Sequence, residues 1–179
     1  MKPMLIAIVL GLAVIIAGVL IASRFQQDNY TVQRTGTIAA PPSVVFAQVT
    51  NFRSWEKFDP CLELDANTVF SYDGPQSGVG AKYRWASDAV GEGSMVITEA
   101  TPNEEVKFEM HTLKPWESHA TSAFRLVPDG NGTRLTWSMT GEHNFISKVM
   151  GLFTSMDKII GNQYEKGFER MNKAFGGAK

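Results

Sequence analysis

FISKVMGLFTSMDKIIGNQYEKGFERMNKAF, residues 145–175, is the stretch on which the fold turns. Apolar residues recur every three or four positions, at Phe145, Val149, Leu152, Phe153, Met156, Ile160, Tyr164, Phe168, Met171 and Phe175. Lys148, Lys158, Glu165, Glu169 and Lys173 fall mostly between them. This is the period of one helical face, so the spacing predicts a single long amphipathic helix over about 145–175. Gly151, Gly161 and Gly167 interrupt it, each costing roughly 1 kcal/mol relative to alanine. Gly161 and Gly167 are expected either to permit close approach to a neighbouring element or to mark bends. A helix with so long a stripe needs a surface to cover it.

The chain upstream supplies that surface. Six runs of strand character follow one another: Thr68–Tyr72, Ala81–Ser87, Gly93–Ala100, Val106–Leu113, His119–Val127 and Thr133–Glu142. They are separated by turn residues, among them Asp73-Gly74-Pro75, Thr101-Pro102-Asn103 and Asp129-Gly130-Asn131-Gly132. The last of these is the clearest hairpin signal, because Asp-Gly and Asn-Gly accept the positive backbone dihedrals of a tight reversal. Consecutive strands with short turns form an antiparallel meander. A further strand begins at Tyr30 and ends before Pro41 and Pro42. Two short helices follow, over Ser43–Val49 and about Asn51–Phe58, the first with proline at its start.

Working outward to the other terminus, Met4 to Ala22 read MLIAIVLGLAVIIAGVLIA, with Lys2 before and Arg24 after. A bilayer core needs about 20 apolar residues of helix. The alternative is a cleaved signal peptide, but the run exceeds the usual ~7–15-residue h-region and Leu20-Ile21-Ala22 makes a poor cleavage site. The expected plan is a membrane anchor over 1–24, a linker over 25–29 and one domain over 30–176. The short basic start is expected to stay cytoplasmic, which would put the domain outside, in the periplasm if the cell is Gram-negative. The flanking charges are nearly balanced, however, and give little orientation of their own.

Lys2 is the only charge before Arg24, so the remainder carries 16 basic and 18 acidic residues, a net of −2. No basic run is present, which excludes nucleic acid as an evident partner. Cys61 is the sole cysteine, so neither an intrachain disulfide nor a cysteine metal cluster can form.

Alternation sorts the side chains of each strand to two faces. Tyr83 and Trp85 oppose Lys82 and Arg84. Val106, Phe108 and Met110 oppose Lys107, Glu109 and His111. Phe124 and Leu126 oppose Arg125, and Leu135, Trp137 and Met139 oppose Arg134, Thr136 and Ser138. One face is apolar and aromatic, the other charged. Such a stripe is usually core. A pocket reading rests on Trp and Tyr, which carry polar tips, and on Met, which adapts to irregular shapes.

Four stretches now carry a family resemblance. They are Val32–Val49 with Ala-Pro-Pro-x-x-Val-Phe-x-x-Val, Trp55-x-x-Phe-Asp-Pro, and Tyr72-x-Gly-Pro-x-x-Gly-Val-Gly with Trp85 after it. The fourth is Gly132-Thr-Arg-Leu-Thr-Trp-Ser-Met-x-Gly followed by Met156-Asp157-x-x-x-Gly161 and Phe168. In that order they resemble the START-like, helix-grip superfamily of polyketide cyclase/dehydrase-like and lipid-transfer proteins, the SRPBCC group. The resemblance implies an α+β helix-grip fold. In it a curved antiparallel sheet of about seven strands wraps a long C-terminal helix, with two short helices after strand 1. An N-terminal transmembrane helix is an addition to that plan.

The resemblance also implies a cavity between sheet and helix. Its expected lining is Trp55, Tyr83, Trp85, Met95, Phe108, Met110, Phe124, Trp137, Met139, Phe153, Met156 and Tyr164, with Trp116 on a loop at the mouth. The expected partner is a hydrophobic small molecule or lipid, with the membrane held through residues 4–22 and no cofactor. The alternative is a cyclase/dehydratase-type enzyme using the same cavity, without a metal.

Catalytic candidates are few. His111 falls on the charged face, His119 and His143 fall near strand ends, and the three lack metal-ligand spacing along the chain. Ser43 and Ser155 have no evident base. Asp157 borders the helical stripe. Desolvation there would raise its pKa and make it an acid or base; the competing reading ties it to a sheet residue or a helix end.

Overall fold

The computed structural model describes residues 2–59, 65 and 67–176. Pro60, in the Trp55 motif, and Cys61 lie outside the described residues.

Helix α1 runs Lys2–Ser23. From Leu5 to Ser23 it is long and apolar enough to cross a membrane, and its apolar side chains contact almost nothing in the domain. Strand β1 (Asn29–Ile38), helix α2 (Pro42–Val49) and a 3-10 helix (Phe52–Lys57) follow. Pro42 occupies the first turn of α2, where a missing N–H costs nothing. Asn51 caps the 3-10 helix by accepting from the Arg53 N–H.

Strands β2 (Val69–Asp73), β3 (Lys82–Ser87), β4 (Gly91–Thr101), β5 (Glu105–Lys114), β6 (Ser118–Asp129) and β7 (Gly132–Glu142) form the predicted meander. With β1 they make one seven-stranded antiparallel sheet in the order β1-β7-β6-β5-β4-β3-β2. The β6–β7 reversal pairs Asp129 with Gly132, and Gly130 takes the positive φ of 59° that the turn requires. The architecture is the α+β helix-grip arrangement expected from the sequence.

The C-terminal segment departs from expectation in one respect. It is two helices, α3 (Phe145–Met150) and α4 (Met156–Phe175), not one. Gly151 ends α3, and the Ser155 hydroxyl caps α4 by accepting from the Lys158 N–H. A side-chain cap beside a glycine is a competing local solution that the 3.6-residue period does not register.

Helix α4 packs chiefly along β1 and buries Tyr164, Phe168, Met171 and Phe175. Glycines set the approach, as one of the two sequence readings required. A Cβ at Gly36 would lie 2.7 Å from Phe168 Cδ2, and one at Gly167 would lie 2.8 Å from Trp137 Cζ3.

Candidate functional site

Register converts the inner face of the sheet into rows. One row is Val32, Met139, Ser122, Phe108 and Ile97, and the next towards the β6–β7 turn holds Arg34, Trp137, Phe124 and Val106. In the other direction lie Tyr30, Gly141, Ala120, Met110, Met95 and Tyr83. Outermost are Ser118, Thr112, Gly93 and Trp85.

The rows differ in how they are filled. Around Trp55 the rings meet directly: its centroid is 5.4 Å from Phe108, 5.7 Å from Phe124 and 6.3 Å from Trp137. Trp137 stacks on Tyr164 at 4.0 Å. Phe108 and Phe124 are fully buried, and Trp55, Tyr83, Trp137 and Tyr164 nearly so. Six of the twelve expected lining residues therefore pack against one another. The row through Gly141 and Ala120 has small residues at its centre and methionines beside them. Met95 in that row is buried and Met110 partly open; in the neighbouring rows Met139 is buried and Trp85 partly open, as is Met156 on α4. Phe153 does not join the group. It stands 79% exposed in the α3–α4 turn, because the break in the helix removes it from the α4 face. Trp116 is half-buried in the β5–β6 connection.

Three tryptophans belong to this interior, and two have settled hydrogen bonds. Trp55 Nε1 donates to the Val49 carbonyl at 3.1 Å and Trp137 Nε1 to Ser122 Oγ at 3.2 Å. Ser122 Oγ in turn donates to the Ser138 carbonyl at 2.7 Å. Trp85 Nε1 is shut away from water and has no partner among the described residues. Its ring lies over Gly93, where a Cβ would come within 2.3 Å of Cζ2. A buried donor without an acceptor costs roughly 1–3 kcal/mol, so such an atom calls for an explanation.

Asp157 is not a desolvated acid. The Arg34 guanidinium donates to both of its oxygens, at 2.7 and 2.8 Å, and to Glu165 Oε1 at 3.1 Å. That hydrogen bonding to Arg34 holds the Asp157 carboxyl below its ordinary value, outweighing burial. The sheet-tied alternative is the one observed. Gly161 makes room for the pair: a Cβ there would lie 2.2 Å from Arg34 Nη2.

His143 packs on Tyr30 with centroids 5.0 Å apart, and burial pushes its pKa down. His111 and His119, separated along the chain, are direct partners across β5 and β6. Counting back along the two strands from their turn could have found this pairing; spacing along the chain could not.

Helix α3 lies against the end of α1. The Asp28 carbonyl accepts from the His143 N–H at 2.7 Å, and Lys148 pairs with the Asp28 carboxylate. Phe25, Phe145, Ile146, Met150 and Phe153 are all exposed in this region.

A family model described as "Polyketide cyclase / dehydrase and lipid transport" matches residues 30–176. Among curated proteins none matches the chain. Solved structures of similar fold include protein CV1439 from Chromobacterium violaceum, at 12% identity and TM-score 0.62, covering 83% of this chain and 98% of that one. The Aha1 dimer from Colwellia psychrerythraea is similar at 16% identity and TM-score 0.60, covering 84% and 98%. DynU16, from the dynemicin biosynthetic locus, is similar at 14% identity and TM-score 0.56, covering 84% of this chain and 49% of that one. At these identities the likeness is one of fold.

Proposed function

The chain belongs to the polyketide cyclase/dehydrase and lipid-transport family, and from that membership and its interior we propose a membrane-anchored module that binds a hydrophobic small molecule or lipid. The ligand's apolar body lies against Met95, Met110 and Ala120 of one row and Met139 of the next. Methionines adjust to the shape of what they hold, while the Tyr30 ring covers Gly141, where a Cβ would come within 2.6 Å of its hydroxyl. An oxygen on the ligand accepts from Trp85 Nε1.

That unpartnered N–H is the observation that carries the reading. The ring-packed rows around Trp55 form the floor of the site rather than part of its volume. Helix α1 serves as the anchor, and the exposed apolar residues of α3 and the α3–α4 turn face the lipid beside it. On this reading the open end of the interior lies close to the bilayer, which is both reservoir and destination for such a ligand.

The test uses residues 29–179, since the CV1439 and Aha1 structures consist almost wholly of this fold. The domain is purified without detergent and extracted into organic solvent for mass spectrometry, and its Tm is followed with fatty acids and isoprenoid alcohols. The expected result is a co-purifying lipid and a Tm that rises with ligand concentration. A domain that carries no lipid and gains no stability from any of these compounds refutes the proposal.

A further inference from the structure

The outer face of the sheet carries a second feature, on the same stretch of β5 and β6 that presents Met110 and Ala120 to the inner face. At the end nearest the linker, an open groove of about 760 Å³ is lined by Asn29, Ser94, Glu109, His111, His119, Thr121 and Glu142, among others. Within it His111 and His119 stack across the β5–β6 pair, with ring centroids 4.1 Å apart and planes 15° from parallel. Glu117, in the connection between the two strands, folds back over them. Its Oε1 lies 2.9 Å from His111 Nε2 and 3.9 Å from His119 Nε2. Both imidazoles therefore direct the same nitrogen at one carboxylate oxygen.

We propose that His111, His119 and Glu117 form a three-ligand site for a divalent transition-metal ion of the zinc type. Two imidazoles and a carboxylate suit ions of borderline softness, and three protein ligands leave a position open for water or another ligand. The ligand atoms of the three residues lie within 4.8 Å of one another. Tetrahedral coordination at about 2.0–2.2 Å per bond brings such atoms to about 3.4 Å, so the change is a small closure.

The side chains are free to make it. His119 and Glu117 are 73% and 69% exposed and His111 is 35% exposed, so rotamer adjustment meets little packing. The backbone is fixed by the β5–β6 ladder, which sets the two histidines opposite each other before any ion arrives. That preorganisation lowers the ordering cost that an ion meets on a flexible loop. An imidazole binds an ion only through an unprotonated nitrogen, so binding weakens in acid.

The experiment is calorimetric titration of Zn²⁺ into the full chain in detergent, with no affinity tag. Co²⁺ absorption follows the coordination number. A saturable isotherm of one ion per chain is expected. His111→Ala and His119→Ala should each weaken it at least about tenfold, since replacing even an outer partner of a metal ligand costs that much. Glu117→Gln should weaken it as well, and His143→Ala should leave it unchanged. Far-UV circular dichroism of the variants should match the parent, since all three side chains are at the surface. No saturable binding below millimolar Zn²⁺ overturns the proposal, as does an isotherm that survives either histidine variant. Binding indifferent to Glu117→Gln overturns the three-ligand assignment.

Discussion

Trp85→Phe separates a binding role for the indole from a packing role, because the two predict opposite signs. The substitution deletes an N–H that is out of contact with water and has no acceptor among the described residues. Relieving a buried unsatisfied donor returns about 1–3 kcal/mol to the folded state. Against that stands the lost ring area of a half-buried side chain, about 1 kcal/mol at 25 cal/mol per Å². The ligand-free domain should therefore be unchanged or up to about 2 kcal/mol more stable, read as a higher urea midpoint at constant m. Ligand affinity should move the other way. Losing one hydrogen bond of about 0.5–1.5 kcal/mol raises Kd by about two- to tenfold. Fluorescence titration with a dansyl-labelled fatty acid measures that change on the same preparation. A variant destabilised by more than about 2 kcal/mol with an unaltered Kd would refute the reasoning, since the indole would then be wall and nothing more.

Trp55→Ala, in the ring-packed rows, should cost about 3–5 kcal/mol in denaturant unfolding and leave the Val49 carbonyl without its donor; a cost below about 1 kcal/mol would mean that this end is not solid. Gly36→Ala places a Cβ 2.7 Å from a buried Phe168 ring carbon and should cost about 1–3 kcal/mol by overpacking, measured as a fall in Tm. Burial and the hydrogen bond to Glu56 push the Tyr72 hydroxyl from 10.0 up to about 12. A raised pKa means stability that is complete below pH 10 and lost as pH rises through about 12. Stability should therefore decline over that interval, and the decline should be shallower in Tyr72→Phe.

The sheet was legible because its signals are local. Turn dipeptides such as Asp129-Gly130 dictate where the chain reverses, and period-2 alternation dictates which side chains face inward. The division of those inward residues was not legible. Phe108 and Met110 share a strand face and a period, yet one is sealed beneath Trp55 and the other is partly open. What distinguishes them is the row each occupies, and rows exist only once register joins five strands. The same holds for His111 and His119. The helix break at Gly151–Ser155 has a different cause. A serine cap and a glycine compete with an apolar period that reads straight through them, so Phe153 was expected inside and is found outside. For Asp157, the sequence offered burial and pairing as rivals, and the deciding partner, Arg34, lies 123 residues away on β1.

Arg34 also bears on whether this interior suits binding or catalysis. By alternation it points to the inner side of β1, in the same row as Trp137 and Phe124. A cation there could have stabilised a developing negative charge on a substrate. Its guanidinium is instead committed to two carboxylates on α4, Asp157 and Glu165. The inner-face hydroxyl of Ser122 is likewise committed, donating to Ser138 and accepting from Trp137. Proton transfer needs a group whose charge state is free to change. Asp157 is fixed as an anion by its partner, and His143 is pressed towards neutrality by burial against Tyr30. The row through Met95, Met110 and Ala120 presents thioether and methyl surface beside the Trp85 indole, whose N–H has no partner among the described residues. On the proposed reading, that surface meets the apolar body of a ligand whose oxygen accepts from Trp85 Nε1.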